Sequence, residues 1–215
     1  QNAASASSPE GYGDELEADA DRAGTAMVGS AGYDAVEGAK AWEVLAHFAD
    51  EGGAERVVQM DADWSHDPGA LPALLGPLEA GEADLVIGSR YTRGGRVTDW
   101  GLGRRLISRG GSQFARLVLG LRPHDLTGGF KAWRSETLAA IPFEGVHSGG
   151  YVFQIEMTHR ASRARARVWE VPITFRDRRV GASKMSRRIV FEALFVVLQL
   201  RWDELRERGF RPRGR

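Results

Sequence analysis

The sequence predicts an α/β fold, a mostly parallel sheet with helices laid against it. Two observations carry this. Short β-type apolar runs alternate along the chain with stretches whose large apolar residues recur at helical spacing. Of the 215 residues, 42% are hydrophobic and 27% charged, an ordinary globular balance that allows a core beyond residue 33.

Taken in order, residues 1–33 are rich in Ala, Ser, Gly and acidic side chains. They bury too little apolar surface to offset their ordering entropy, so they are expected to be disordered and without strands. Residues 34–51 place Val36, Ala39, Trp42, Val44, Leu45 and Phe48 near helical spacing, and Gly52-Gly53 ends that helix. A strand follows over 56–60 and stops at Asp61. Asp67 before Pro68 is the expected N-cap of a helix over 68–80, with Leu71, Leu74, Leu75 and Leu78 on its apolar face. Residues 84–88 read as a buried strand, 89–103 as a Gly- and Arg-rich loop, and 104–119 as a helix carrying Leu106, Ile107, Phe114, Leu117 and Val118. A loop over 120–130 leads to a short strand (131–134), a short helix (135–141) and a longer helix (150–163). The strand expected over 168–175 contains Pro172, which points to a sheet edge or a strand end. A long amphipathic helix over 186–208 closes the chain. The domain boundaries that follow are 1–33, 34–185 and 186–215.

The formal net charge is zero, but residues 1–67 carry 15 acidic and 3 basic side chains, and residues 68–215 carry 14 and 26. A basic segment of that size suits phosphate-bearing ligands or an anionic surface. Its basic residues are interleaved with other motifs instead of forming one run, which argues against nucleic acid. Without cysteine, disulfides, Cys-based zinc sites and a Cys nucleophile are excluded. Neither a signal peptide nor about 18 consecutive apolar residues is visible, so no spanning helix is expected.

The sharpest local signal is Asp61-Ala62-Asp63-Trp64-Ser65-His66-Asp67-Pro68. A strand ends in two carboxylates spaced i, i+2, which point the same way in extended chain. Strand carboxyl ends are where open α/β sheets bind ligands. Two such carboxylates repel unless a cation or donors compensate, and a hard divalent metal shared with a ligand's phosphates does so economically. A solvated acidic turn capped by Asp67 explains the same spacing about equally well. His66 and His124 read as structural or exposed.

This segment resembles the metal-and-nucleotide motif of family 2 glycosyltransferases of GT-A fold. Later motifs narrow the resemblance to the polyprenol (dolichol) phosphate mannosyltransferases. They are Gly88-Ser89-Arg90-Tyr91, Ile107-Ser108-Arg109-Gly110, Asp125-Leu126-Thr127-Gly128-Gly129-Phe130, the run Gly150 to Glu156, Glu170-Val171-Pro172-Ile173-Thr174-Phe175, and Gly181-Ala182-Ser183-Lys184-Met185-Ser186. Each alone is weak, but their order matches the family over roughly residues 54–190.

The resemblance implies inverting transfer of mannose from GDP-mannose to a polyprenyl phosphate. It implies that Asp63 holds Mg²⁺ or Mn²⁺ with Ser65 completing the shell, and that Asp61 and Ala62 contact the nucleotide-sugar. Arg90 matches a cation that binds donor and acceptor phosphates, Arg109 an acceptor-phosphate contact, and Arg178 and Lys184 a loop that closes over the diphosphate. Asp125 is the expected contact to a sugar hydroxyl, and Glu156 an acidic residue near the active site. The implied setting is peripheral, on the cytoplasmic face of a membrane, with the terminal helix at the lipid surface and a membrane-anchoring partner allowed for. The family's opening Pro-x-Tyr-Asn-Glu strand is not found, so the chain is expected to be an amino-terminally shortened member missing the first strands. Two alternatives stay open: a glucosyl or other lipid-phosphate transferase of the same family, and an incomplete domain that only binds phosphate ligands or a partner.

Overall fold

A computed structural model describes residues 25–30, 55–61, 65–142, 146, 150–176 and 187–209. The helix expected over 34–51 lies outside the described residues, as do Ala62, Asp63, Arg178 and Lys184. The strands are β1 (Thr25–Ser30), β2 (Arg56–Asp61), β3 (Leu85–Ser89), β4 (Arg96–Val97), β5 (Lys131–Arg134), β6 (Val168–Pro172) and β7 (Thr174–Phe175). The helices are α1 (Leu71–Glu79), α2 (Leu102–Leu119), α3 (Ser135–Ala139), α4 (Gly150–Arg163) and α5 (Arg187–Gly209). Asp67 caps as its position predicts: its side chain accepts from the Gly69 N–H at 2.9 Å and opens a 3-10 turn, Pro68–Ala70, that leads into α1.

Five strands form one sheet in the order β1-β2-β5-β3-β6. β1 runs parallel to β2, and β6 parallel to β3. β5 sits between them, antiparallel to both neighbours. The sheet is therefore mostly parallel, with one reversed strand at its centre. The expectation that residues 1–33 hold no strand is corrected at Thr25–Ser30, which pairs along β2 from Thr25↔Arg56 to Ser30↔Asp61. Strand formation there rests on main-chain pairing with a distant partner, which local composition does not register. The expected strand 168–175 is split. β6 is the sheet edge, as Pro172 predicts, and β7 leaves it to pair with β4 inside the supposed loop 89–103. Gly95 lets this loop fold back on the end of β3, since a Cβ there would lie 2.5 Å from the Ser89 carbonyl oxygen.

Both sheet faces are covered. One buries Val58, Val86, Phe130 and Ala132 beneath Leu71, Leu74 and Leu78 of α1. The other buries Val57, Leu85, Ile87 and Trp133 against Phe153, Met157 and Ala161 of α4. A third cluster, with Ala115 and Leu119 of α2, Ile155 of α4 and Val197 of α5, joins the helices on that side.

α2 overturns a simple amphipathic reading. It buries Ser108, Ser112, Ala115 and Leu119, while Leu102, Leu106, Ile107 and Leu117 are exposed. Its small residues face inward because their hydroxyls meet the 125–130 loop and Tyr91. α5 likewise exposes Phe191, Phe195, Leu198, Trp202 and Leu205.

Candidate active site

The carboxyl end of β2 brings Asp61 to the site. Its amide N–H donates to Nδ1 of His66 at 3.0 Å. A neutral ring accepting there carries its proton on Nε2, which lies 4.0 Å from Asp61 Oδ2. His66 is buried, stacked on Phe130 and edge-on to Phe175, so its role is structural. The Asp61 carboxylate is about one-third exposed (35%). Gly129 makes room for it, because a Cβ at that position would fall 2.8 Å from Asp61 Oδ1. The paired glycines after Asp125 thus allow the loop to approach the end of β2 closely.

At the end of β3, Arg90 is bound to Asp125. Its amide N–H and Nε donate to Oδ2 at 2.9 and 2.7 Å, and Nη2 donates to Oδ1 at 2.7 Å and to Thr127 Oγ1 at 2.8 Å. The two side chains are 3% and 0% exposed. The rings of Tyr91, Trp100 and Phe175 surround the guanidinium at 5.2–5.4 Å. Burial pushes the Asp125 carboxyl up, but the Arg90 charge and hydrogen bonds outweigh it and hold the group below the usual carboxylate range. Glu170 of β6 secures the loop from the far side: its Oε1 accepts from the Asp125 amide at 3.0 Å and its Oε2 meets His124 Nδ1 at 2.8 Å. Ser112 of α2 lies 3.3 Å from Thr127.

Two expected site residues meet here: Asp125 is wholly buried and both its carboxylate oxygens accept from Arg90. Arg90 is buried against Asp125 and Thr127. The residue types implied a shared site, but only the fold shows that the two side chains answer each other. Glu156, the other carboxylate of interest, is buried and receives Nε and Nη2 of Arg160 at 2.9 and 2.7 Å.

Arg109 is exposed on α2, next to Ser108, whose hydroxyl meets Tyr91 at 2.7 Å. It is close enough to act on the Tyr91 phenol, which burial pushes up and the nearby cations pull back. Ser65 is buried, and its carbonyl accepts from the Arg176 N–H at 3.2 Å. Among the described residues no three His, Cys, Asp or Glu side chains gather to hold a metal. Of the expected metal donors Ser65 is described and Asp63 lies outside the described residues; a carboxylate and a hydroxyl are both hard oxygens. They suit Mg²⁺ or Mn²⁺ when a ligand's phosphates complete the shell.

The profile of glycosyl transferase family 2 matches residues 45–141, a span that contains Asp61, Arg90, Arg109 and Asp125. An undecaprenyl-phosphate mannosyltransferase of Micrococcus luteus is 47% identical over 162 residues, covering 74% of this chain and 66% of that protein. The chain belongs to glycosyl transferase family 2. A polyprenol monophosphomannose synthase of Mycolicibacterium smegmatis is 45% identical over 75% of this chain and 60% of its own length. This family 2 domain thus spans somewhat less than two thirds of the relatives it matches. A solved mycobacterial protein superposes with a TM-score of 0.50 at 23% identity, over 74% of this chain and 50% of that one. The layered sheet and flanking helices are GT-A-like.

Three contributors escape sequence reasoning: Glu170, Thr127 and Lys131. Glu170 and Thr127 lie in recognised motifs without a role that spacing could assign. Lys131 carries one signal, that it is one of only three lysines in the chain.

Proposed function

We propose that this protein transfers mannose from GDP-mannose to a polyprenyl phosphate, with inversion and with Mg²⁺ or Mn²⁺ bound. The 47% identity to an undecaprenyl-phosphate mannosyltransferase carries the reading. The arrangement of Asp61, Gly129, Arg90 and Asp125 around one end of the sheet supports it.

In this reaction an oxygen of the acceptor phosphate donates a lone pair to the anomeric carbon. The bond from that carbon to the diphosphate oxygen breaks, and its electron pair leaves with GDP. A phosphate monoester already carries about −1.5 to −2 charges at neutral pH, so no general base is required. Catalysis then rests on positioning and charge. Asp63 and Ser65 would hold the cation, whose charge offsets that of the departing diphosphate. Asp61 and Ala62 contact the nucleotide-sugar, and Arg178 and Lys184 close over the diphosphate. Arg109 meets the acceptor phosphate. Arg90 serves the donor and acceptor phosphates, and Asp125, bound to it, serves a sugar hydroxyl at the reaction centre.

The exposed apolar residues of α2 and α5 suit a lipid surface where the acceptor resides. Among the described residues no helix is long and apolar enough to cross a membrane. Peripheral attachment at the cytoplasmic face, alone or through an anchoring partner, fits this pattern.

The test incubates the protein with labelled GDP-mannose, undecaprenyl phosphate in detergent and Mn²⁺, with UDP-glucose in parallel. Label should enter the lipid fraction from GDP-mannose; entry only from UDP-glucose refutes the donor assignment. Asp63→Ala should abolish Mn²⁺-dependent GDP binding by calorimetry, and unchanged affinity would overturn the metal assignment.

A further inference from the structure

We propose that Lys131 is a positioning residue for the Arg90–Asp125 pair. Its consequence for catalysis rests on the function proposed above, whereas its structural action does not.

Lys131 opens β5, directly after the 125–130 loop. Strand alternation puts it on the face shared with Trp133 and Gly129, the face that α4 covers. Its side chain is fully buried. Nζ donates to the Gln154 carbonyl at 2.8 Å and to Thr158 Oγ1 at 2.9 Å, and that hydroxyl donates on to the Gln154 carbonyl at 2.9 Å. One amine therefore fastens α4 to the strand that carries the loop. Gln59 stands opposite on β2 and Ile87 on β3. The Oε1 atoms of Gln59 and Gln154 are buried without a hydrogen-bond partner, which marks a polar layer within an otherwise apolar face.

The charged group that Lys131 feels is Asp125. Glu156 and His159 of α4 face elsewhere, toward Arg160 and toward Glu204 and Arg163. Asp125 in turn feels Arg90 first and Lys131 last. Arg90 is bonded to the buried carboxylate from the end of β3, and the Lys131 charge favours its ionised form from β5. A nonpolar side chain at 131 would pack with its neighbours but would leave α4 unfastened and Asp125 without the Lys131 charge. Burial lowers the Lys131 ammonium to about 7 despite the Asp125 charge, so the second cation is present below neutrality and fades above it.

With three lysines in the chain, ¹³Cε-lysine labelling yields three signals, and Lys131→Arg assigns the one of interest. That signal should titrate near pH 7 rather than near 10.5. Hydrogen exchange at the Arg90 amide reads the positioning itself, because that N–H donates to Asp125 at 2.9 Å. In Lys131→Met its protection should fall at least tenfold while the β3 amides hold, and Lys131→Arg should restore it. In the unaltered protein Arg90 protection should drop as pH rises through 7, which tests the idea even if Lys131→Met does not fold. In the transfer assay, Lys131→Met should lower kcat with little change in KM. Equal loss of protection across β3, or none at Arg90, overturns the proposal. Absent transferase activity in the unaltered protein would count against the proposed reaction and leave the exchange results to decide this one.

Discussion

Replacing Asp125 by Asn removes the negative charge from a pair that is almost entirely out of water. Arg90 makes three hydrogen bonds to that carboxylate, at 2.7, 2.7 and 2.9 Å, and its side chain is 3% exposed. Asn keeps the volume and one acceptor, but the buried guanidinium loses the carboxylate that accepts from its Nε and Nη2. Breaking a buried pair from one side costs about 3–5 kcal/mol. For a chain of this size that corresponds to about 6–20 °C in Tm. The assay is urea unfolding followed by far-UV circular dichroism, with Arg90→Met and the double variant alongside. Removing both charges should recover much of the loss, because most of the cost lies in a buried charge that has lost this carboxylate. Acid sharpens the test. The folded Asp125 carboxyl lies below its unfolded value of 3.8, so its contribution is complete above that value and disappears as pH falls through the folded one. The variant should lack this part of the acid transition. An Asp125→Asn cost below about 1 kcal/mol, or a double variant no better than Asp125→Asn alone, would refute the account.

Other consequences are as direct. Gly129→Ala places a methyl 2.8 Å from Asp61 Oδ1, so Mn²⁺-dependent GDP binding measured by calorimetry should weaken while the melting curve moves little. Lys131 binds its proton less tightly folded, at about 7, than unfolded, at 10.5. The unfolded chain therefore holds more protons between those values, and stability should rise with pH across that window; chemical unfolding at pH 7 and 9 should show a rise that Lys131→Met lacks. Phe195→Glu with Trp202→Glu alters two exposed positions of α5, so flotation with anionic vesicles should be lost at unchanged Tm.

The elements that were legible in the sequence are those set by neighbouring residues. Leu71, Leu74 and Leu78 recur at helical spacing and are buried, and Asp67 caps the turn before them. Pro172, which cannot donate to a ladder, marks the sheet edge. β1 was not legible, because Thr25–Ser30 is held by pairing with β2 rather than by its own composition. Nor was the face of α2: its leucines predict burial inward, yet Ser108 and Ser112 take the interior because hydroxyl partners wait there.

The candidate site divides in the same way. Asp61 at a strand end, the glycines after Asp125 and the ordered motifs are properties of the chain read along its length, and they suffice to place it in its family. That Arg90 meets Asp125, 35 residues away, depends on β5 running backwards between β2 and β3. No local propensity specifies that reversal. Charge pairing and desolvation act through distance in space, so which carboxylate a given cation meets is decided only when the strands come together.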